Sequence, residues 1–282
     1  MKTGLILEGG AMRGLFTAGV MDVLMENGIT FDGLIGVSAG AAFGCNYKSG
    51  QIGRVLRYNT KYCKDPRYCS FSSLIKTGHL FGKDFCYRQL PEELDIFDSK
   101  AFEENPMEFY VVCTDVMTGK PVYKRVDRVD KNCYEWFCAS ASMPLVSRIT
   151  EIDGFMLLDG GISDSVPLKF FESIGYDRNI VVLTQPLGYE KKKNNLLPII
   201  KLIMRKYPKM VDAMAHRHQM YNSTTEYIAQ KEKLGEIIVI RPPEALPVGR
   251  IEKDPEKLRE AYDLGRAEAE KNIDKIKEFL TK

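Results

Sequence analysis

The first fifty residues alternate strand, helix, strand and helix, which restricts this chain to folds built on a parallel sheet. Residues 3–7 are a short apolar run that ends in Glu8-Gly9-Gly10. Phe16, Val20, Val23, Leu24 and Asn27 then recur at three- and four-residue steps, and Gly28 stands where a helix would stop. Residues 33–37 read as a second strand, and small residues from Ala39 onward as a second helix. Two strands joined through a crossover helix lie parallel in one sheet. Further strand candidates are 109–116, 155–158, 179–184 and 236–240, each rich in Val, Ile, Leu or Phe. Such continuous apolar runs suit a sheet covered on both faces. The expected fold is therefore α/β, a mostly parallel central sheet flanked by helices.

Length and spacing suggest how the chain is divided. The 282 residues suit one large domain, or a domain with a small appendage. We expect a core over 1–186, interrupted at 49–97 by a mixed, aromatic-rich insertion with short helices. Residues 187–245 would supply the remaining helix and strand of that core. Pro242-Pro243 and Pro247 mark a linker, and Asp254-Pro255 opens a helix with Asp as N-cap and Pro in the first turn. The segment 246–282 would then be a charged helical tail.

Charge and cysteine usage narrow the setting. Lys+Arg 40 against Asp+Glu 38 is near balance, so no nucleic-acid partner is expected. Seven cysteines form no CxxC and no zinc-ligand spacing, which suits free thiols in a reducing cytoplasm. The N-terminus lacks the apolar stretch and cleavage site of a signal peptide. The most apolar segment, 196–204, is broken by Pro198 and Lys201 and is too short to span a bilayer. A cytoplasmic protein that at most rests on a membrane surface is the expectation.

Three glycine-flanked segments carry the chemistry. Gly36-Val37-Ser38-Ala39-Gly40 is a G-x-S-x-G between a strand and a helix, the context of a nucleophile elbow. Its glycines allow a turn tight enough to push the serine hydroxyl out over the sheet end, and the helix N-terminus favours developing negative charge. Gly9-Gly10-Ala11-Met12-Arg13-Gly14 follows a strand and precedes a helix. Its backbone N–H groups, with the Arg13 charge, have the character of an oxyanion hole. The same segment is close to the dinucleotide-binding G-x-G-x-x-G. That reading wants an acid after the second strand, where Gly36 and Ser38 stand, and Asp32 lies before it. Asp159-Gly160-Gly161 follows the strand candidate 155–158 and sets a carboxylate at a strand end.

In this order, the three segments resemble the patatin-like phospholipases. Ala139-Ser140-Ala141-Ser142-Met143-Pro144 is similar to that family's A-S-x-x-x-P stretch, and Asp159-Gly160-Gly161 followed by Pro167 to its D-G-G and proline. The likeness runs from the N-terminus to about Pro186. It implies a patatin-like three-layer α/β/α fold and a serine hydrolase of phospholipid or other acyl-ester lipid. Ser38 would be the nucleophile and Asp159 its base. Gly9, Gly10, Ala11 and Arg13 would form the oxyanion hole. One departure is visible. The family's third glycine is Ala11 here, and alanine keeps the N–H donor but resists positive φ.

Two other readings stay open. A Ser-His-Asp triad esterase would need His216 or His218, which lie in a basic helical segment, or His79 in the insertion. A non-catalytic lipid-binding protein would leave Ser38, Asp159 and Arg13 without a task. No cluster with Ca²⁺ or Zn²⁺ spacing accompanies the motifs, so no metal or cofactor is expected. Leu196, Ile199, Ile200, Ile203, Tyr207, Met210, Val211 and Met214 share a helical face, with Lys193, Lys201, Arg205 and Lys209 elsewhere and Pro208 kinking or dividing the helix. Such a helix lies on anionic lipid or packs on the sheet.

Overall fold

The chain wraps helices around both faces of one mixed sheet in the computed structural model, which describes residues 1–281. The N-terminal alternation is present: β1 (Lys2–Leu7), α1 (Gly14–Glu26), β2 (Gly33–Val37) and α2 (Ala39–Lys48). The insertion follows with α3 (Arg54–Tyr62), α4 (Phe71–Thr77) and a π-type helix over Phe85–Leu94, then α5 (Ser99–Glu104). Next come β3 (Glu108–Asp115), β4 (Pro121–Arg125), α6 (Lys131–Ser140), β5 (Thr150–Ile152), β6 (Phe155–Asp159), α7 (Leu168–Ser173) and β7 (Tyr176–Val182). The chain ends with α8 (Leu197–Ile203), α9 (Pro208–Lys233), β8 (Ile237–Ile240) and α10 (Pro255–Thr281). Pro208 thus divides the apolar stretch into two helices and sits in the first turn of the second, where its missing N–H costs nothing.

The sheet has eight strands in the order β5-β6-β3-β2-β1-β7-β8, with β4 also on β3. Strands β3-β2-β1-β7-β8 run parallel, while β4, β5 and β6 form antiparallel pairs. Alternation along β1 divides the core. Leu5 and Leu7 pack with Leu15, Phe16 and Ala261 on one face, and Ile6 packs with Phe171 and Ile228 on the other. The sequence reading missed β4 and β5. Pro121-Val122-Tyr123-Lys124-Arg125 is half-exposed and mixed in polarity, and a three-residue strand has no period to read.

The C-terminal helix is joined tightly to the core. A Cβ on Gly19 of α1 would lie 2.0 Å from the Tyr262 carbonyl oxygen, and one on Gly265 of α10 would lie 2.0 Å from that of Phe16. The two helices therefore cross with their backbones in contact. Tyr262 donates to Asp22 at 2.7 Å, and Arg266 clamps Glu26 through bonds of 2.9 and 2.7 Å. One added methyl at either glycine would force the pair apart at about 1–3 kcal/mol, a loss that thermal unfolding of Gly265→Ala would register.

Candidate active site

The turn after β2 is strained in the way its glycines allow. Ser38 has φ 54° and ψ −120°, left-handed backbone in a residue with a side chain, at a cost of about 1–3 kcal/mol. A Cβ on Gly36 would meet the Gly40 carbonyl at 2.5 Å, and one on Gly40 would meet the Leu7 carbonyl oxygen at 2.5 Å. Both glycines are thus sterically required, and α2 starts at Ala39 directly behind the half-buried Ser38.

Asp159 reaches Ser38 through strand register. Val37 at the end of β2 pairs with Val112 of β3, and Asp159 at the end of β6 pairs with the next residue, Cys113. β4 occupies the other edge of β3 from Tyr110 to Thr114. β2 and β6 therefore meet end to end along one edge of β3. The Ala139–Ser142 stretch ties both strand ends down. Ser38 N donates to Ser140 Oγ at 2.9 Å, Ser140 Oγ donates to the Val112 carbonyl at 2.7 Å, and Asp159 N donates to the Ser142 carbonyl at 2.8 Å. Gly160 is required as well, because a Cβ there would lie 2.2 Å from the Val112 carbonyl oxygen.

The Asp159 carboxylate is buried, and burial pushes its pKa up. The Arg217 guanidinium, a hydrogen bond from the Ser38 hydroxyl and one from Gly161 N at 2.7 Å pull it back in part. The outcome is a carboxylate more basic than one in water and in hydrogen-bonding reach of the serine. A better proton acceptor at neutral pH is what general-base work requires.

The loop after β1 lies against this pair. A Cβ on Gly9 would come within 2.8 Å of the Val37 carbonyl oxygen, and one on Gly10 within 2.8 Å of Thr184 Oγ1. Ala11 takes φ 50°, so the residue that replaces a glycine adopts the left-handed backbone all the same. Arg13 Nε is buried without a hydrogen-bond partner among the described residues. Glu8 is buried beneath the loop and accepts from Thr184 N at 2.6 Å and from the Tyr221 hydroxyl at 2.8 Å.

Two cavities open on Ser38. One, of about 160 Å³, is apolar and is walled by Met12, Ala42, Phe43, Tyr58, Leu80, Phe81, Leu90, Phe137, Met143 and Val146. The other, of about 60 Å³, is polar and is lined by Gly9, Gly10, Ala11, Arg13, Asp159, Lys191, Arg217 and Arg250. All six residues singled out in the sequence thus border one space. None of His79, His216 and His218 lines either cavity. His79 is buried in the turn after α4, and His216 is exposed on α9 beside Asp212.

Sequence reasoning named Arg13 but missed the other three cations. Arg217 had a signal, since it falls in step with Met210, Met214, Tyr221 and Ile228, the buried face of α9. A cation inside an apolar stripe marks a buried charge, and burial pushes the Arg217 pKa down. Lys191 and Arg250 lie in irregular segments and had no such signal.

The chain is 27% identical to the uncharacterized protein YjjU of Escherichia coli, over 94% of this chain and 75% of that one. It is 29% identical to the lysophospholipase nte1 of Aspergillus terreus, over 62% of this chain but 11% of the fungal protein. VipD from Legionella pneumophila, a solved structure, aligns with a TM-score of 0.47 at 13% identity, covering 97% of this chain and 67% of that one. Residues 207–281 match a domain of unknown function, DUF6363. Residues 5–171, more than half of the chain and the stretch that holds the glycine loop, the Ser38 turn and Asp159, match the patatin-like phospholipases, and the chain belongs to that family.

Proposed function

We propose that this protein hydrolyses a carboxylic ester of a lipid by acyl transfer through Ser38, with Asp159 as base. The observation that carries the reading is the strained Ser38 turn beside a buried Asp159 whose pKa is raised, at the mouth of an apolar cavity. Ser38 Oγ attacks the ester carbonyl as Asp159 takes its proton. The carbonyl oxygen becomes an oxyanion within reach of the Gly9, Gly10 and Ala11 amides, with the Arg13 charge and the α2 N-terminus nearby. Collapse expels the alcohol, which recovers the proton from Asp159, and leaves the acyl group on Ser38. Water, deprotonated by Asp159, attacks the acyl-enzyme, and the proton passes back to Ser38 as the fatty acid departs.

An apolar cavity beside Ser38 supports an acyl chain as part of the substrate, and with it the lipid class. The lysophospholipase name of the fungal relatives points the same way. Peripheral membrane contact is supported by α8 and its flank, where Leu196, Ile199, Leu202 and Ile203 are exposed beside Lys201 and Arg205. No helix among the described residues is long and apolar enough to cross a membrane. A triad esterase is disfavoured, because among the described residues no histidine lines either cavity. Fluorophosphonate labelling tests the reading. Wild type should label and hydrolyse a soluble short-chain ester, and folded Ser38→Ala should do neither. Labelling of the alanine variant at the wild-type rate would remove Ser38 from the mechanism.

A further inference from the structure

The polar cavity holds more positive charge than ester hydrolysis needs. Arg13, Lys191, Arg217 and Arg250 line it against two carboxylates, Glu8 and Asp159. Glu8 is engaged by Thr184 and Tyr221, and Asp159 by Gly161 N and Ser38. Among the described residues, Lys191 and Arg250 form no ion pair with an acid, whereas Arg217 acts on Asp159 across the cavity, pulling its pKa down without a direct salt bridge. Lys191 is nevertheless fixed. Its backbone N–H donates to Asn222 Oδ1 at 2.8 Å, its carbonyl accepts from Asn222 Nδ2 at 3.2 Å, and its ammonium lies 4.0 Å from the Tyr221 ring centroid. Arg217 is held by donation from Nε to the Gly161 carbonyl. Three cations outside the sequence motifs thus face one space next to the nucleophile.

Charge and size indicate what that space takes. Four cations against two carboxylates leave an excess of two positive charges when all are ionised. A phosphate monoester carries about −1.5 to −2 at neutral pH. A water needs roughly 10–15 Å³ of such volume, so 60 Å³ holds about four to six small atoms, the size of a phosphate group. A choline head group is a poor fit. Among the described residues no aromatic ring lines this cavity to receive its quaternary ammonium.

We propose that Lys191, Arg217 and Arg250 form a subsite for a terminal phosphate monoester, so that the protein prefers acylglycerol phosphates to their choline diesters. This rests on the acyl-hydrolase reading above. The acyl chain lies in the apolar cavity, the ester at Ser38, and the terminal phosphate in the polar one, with the glycerol between them.

The test has a binding arm and a turnover arm. Calorimetry measures glycerol 3-phosphate and inorganic phosphate binding to wild type, Arg250→Gln and Lys191→Gln, with folding checked by circular dichroism. Arg250 is exposed in a loop, so its variant should fold. Turnover compares kcat/KM for oleoyl lysophosphatidic acid and oleoyl lysophosphatidylcholine below their micellar concentrations. Removing one charge-assisted hydrogen bond to the phosphate should weaken glycerol 3-phosphate binding about tenfold or more, and the wild-type preference for the monoester lipid should fall in step. A wild-type preference near unity, or binding unchanged in both variants, overturns the proposal. Inorganic phosphate that binds at these residues while their loss leaves the lipid preference intact also overturns it, and assigns the site to free phosphate. Should wild type hydrolyse neither lysolipid nor a short ester, the acyl-hydrolase reading fails. The binding arm still decides the phosphate site, by loss or retention of affinity in the two variants.

Discussion

The two cavities that meet at Ser38 are built from opposite kinds of chain. The apolar one is walled largely by the 49–97 insertion and by α6 with the loop after it, short helices with aromatic packing such as Tyr62 on Phe85 and Tyr68 on Phe81. The polar one is framed by strand ends and the glycine loop, with its cations brought in from α9 and two irregular segments. The first cavity relies on area and shape, which many side chains satisfy. The second relies on single atoms, such as Asp159, whose displacement by one register step would remove it from the site. Acyl-chain selection should therefore tolerate substitution and shift gradually, whereas the chemistry should fail at one residue.

Short of removing the base itself, the largest effect is expected from filling the apolar side. Ala42 borders that cavity, and Ala42→Phe takes space from the acyl chain. Each methylene denied burial costs about 0.8 kcal/mol, roughly fourfold in kcat/KM. A substitution that excludes two or three methylenes should lower kcat/KM for an oleoyl ester by about 15- to 60-fold, with a much smaller loss for a butyryl ester. Equal losses on both esters would show that the cavity does not hold the chain.

A smaller effect, of a few fold, is expected from pH on the polar side. Burial pushes Lys191 down to about 7, helped by Arg217, Arg250 and Arg13 and opposed by Glu8. As pH rises through about 7 the unliganded lysine loses its proton, and attraction for an anionic head group weakens. A phosphate monoester gains its second charge near pH 6. KM for such a lipid should therefore pass through a minimum near neutrality and rise on the alkaline side, and Lys191→Gln should remove the alkaline rise. A rise that persists in Lys191→Gln would assign it to another group. The smallest effect is expected from excess EDTA, which should leave the rate on either lipid unchanged. A loss restored by Ca²⁺ would contradict a mechanism that runs on side chains alone.

Legibility in the sequence followed the same division. The parallel frame was readable because β1, α1, β2 and α2 carry strong periods and sharp glycine punctuation. Ser38, Asp159 and the glycine loop were readable because each needs small residues next to it, and the close approaches at Gly36, Gly40 and Gly160 give the steric reason. The insertion read only as mixed and aromatic, since its packing pairs residues such as Tyr58 and Phe43 that have no fixed spacing. Lys191 and Arg250 were invisible because their roles come from tertiary placement, 26 and 33 residues from Arg217 in the chain. Ala11 kept its glycine-like backbone despite its side chain, which is strain stored in the same cavity as Ser38 and Asp159.

The Ser38–Asp159 chemistry is tested most directly at the base. Asp159→Asn keeps the size of the side chain and most of its hydrogen bonds and removes the proton acceptor. It should be compared with a variant in which His79, His216 and His218 are all changed to Ala, by kcat/KM on a soluble short-chain ester with folding checked by circular dichroism. We expect Asp159→Asn to lose about 10²- to 10⁴-fold, and the triple variant to stay within roughly tenfold, as packing losses alone would have it. A folded but inactive triple variant beside an Asp159→Asn protein of near-normal rate would contradict the Ser38–Asp159 dyad and return the chemistry to a histidine.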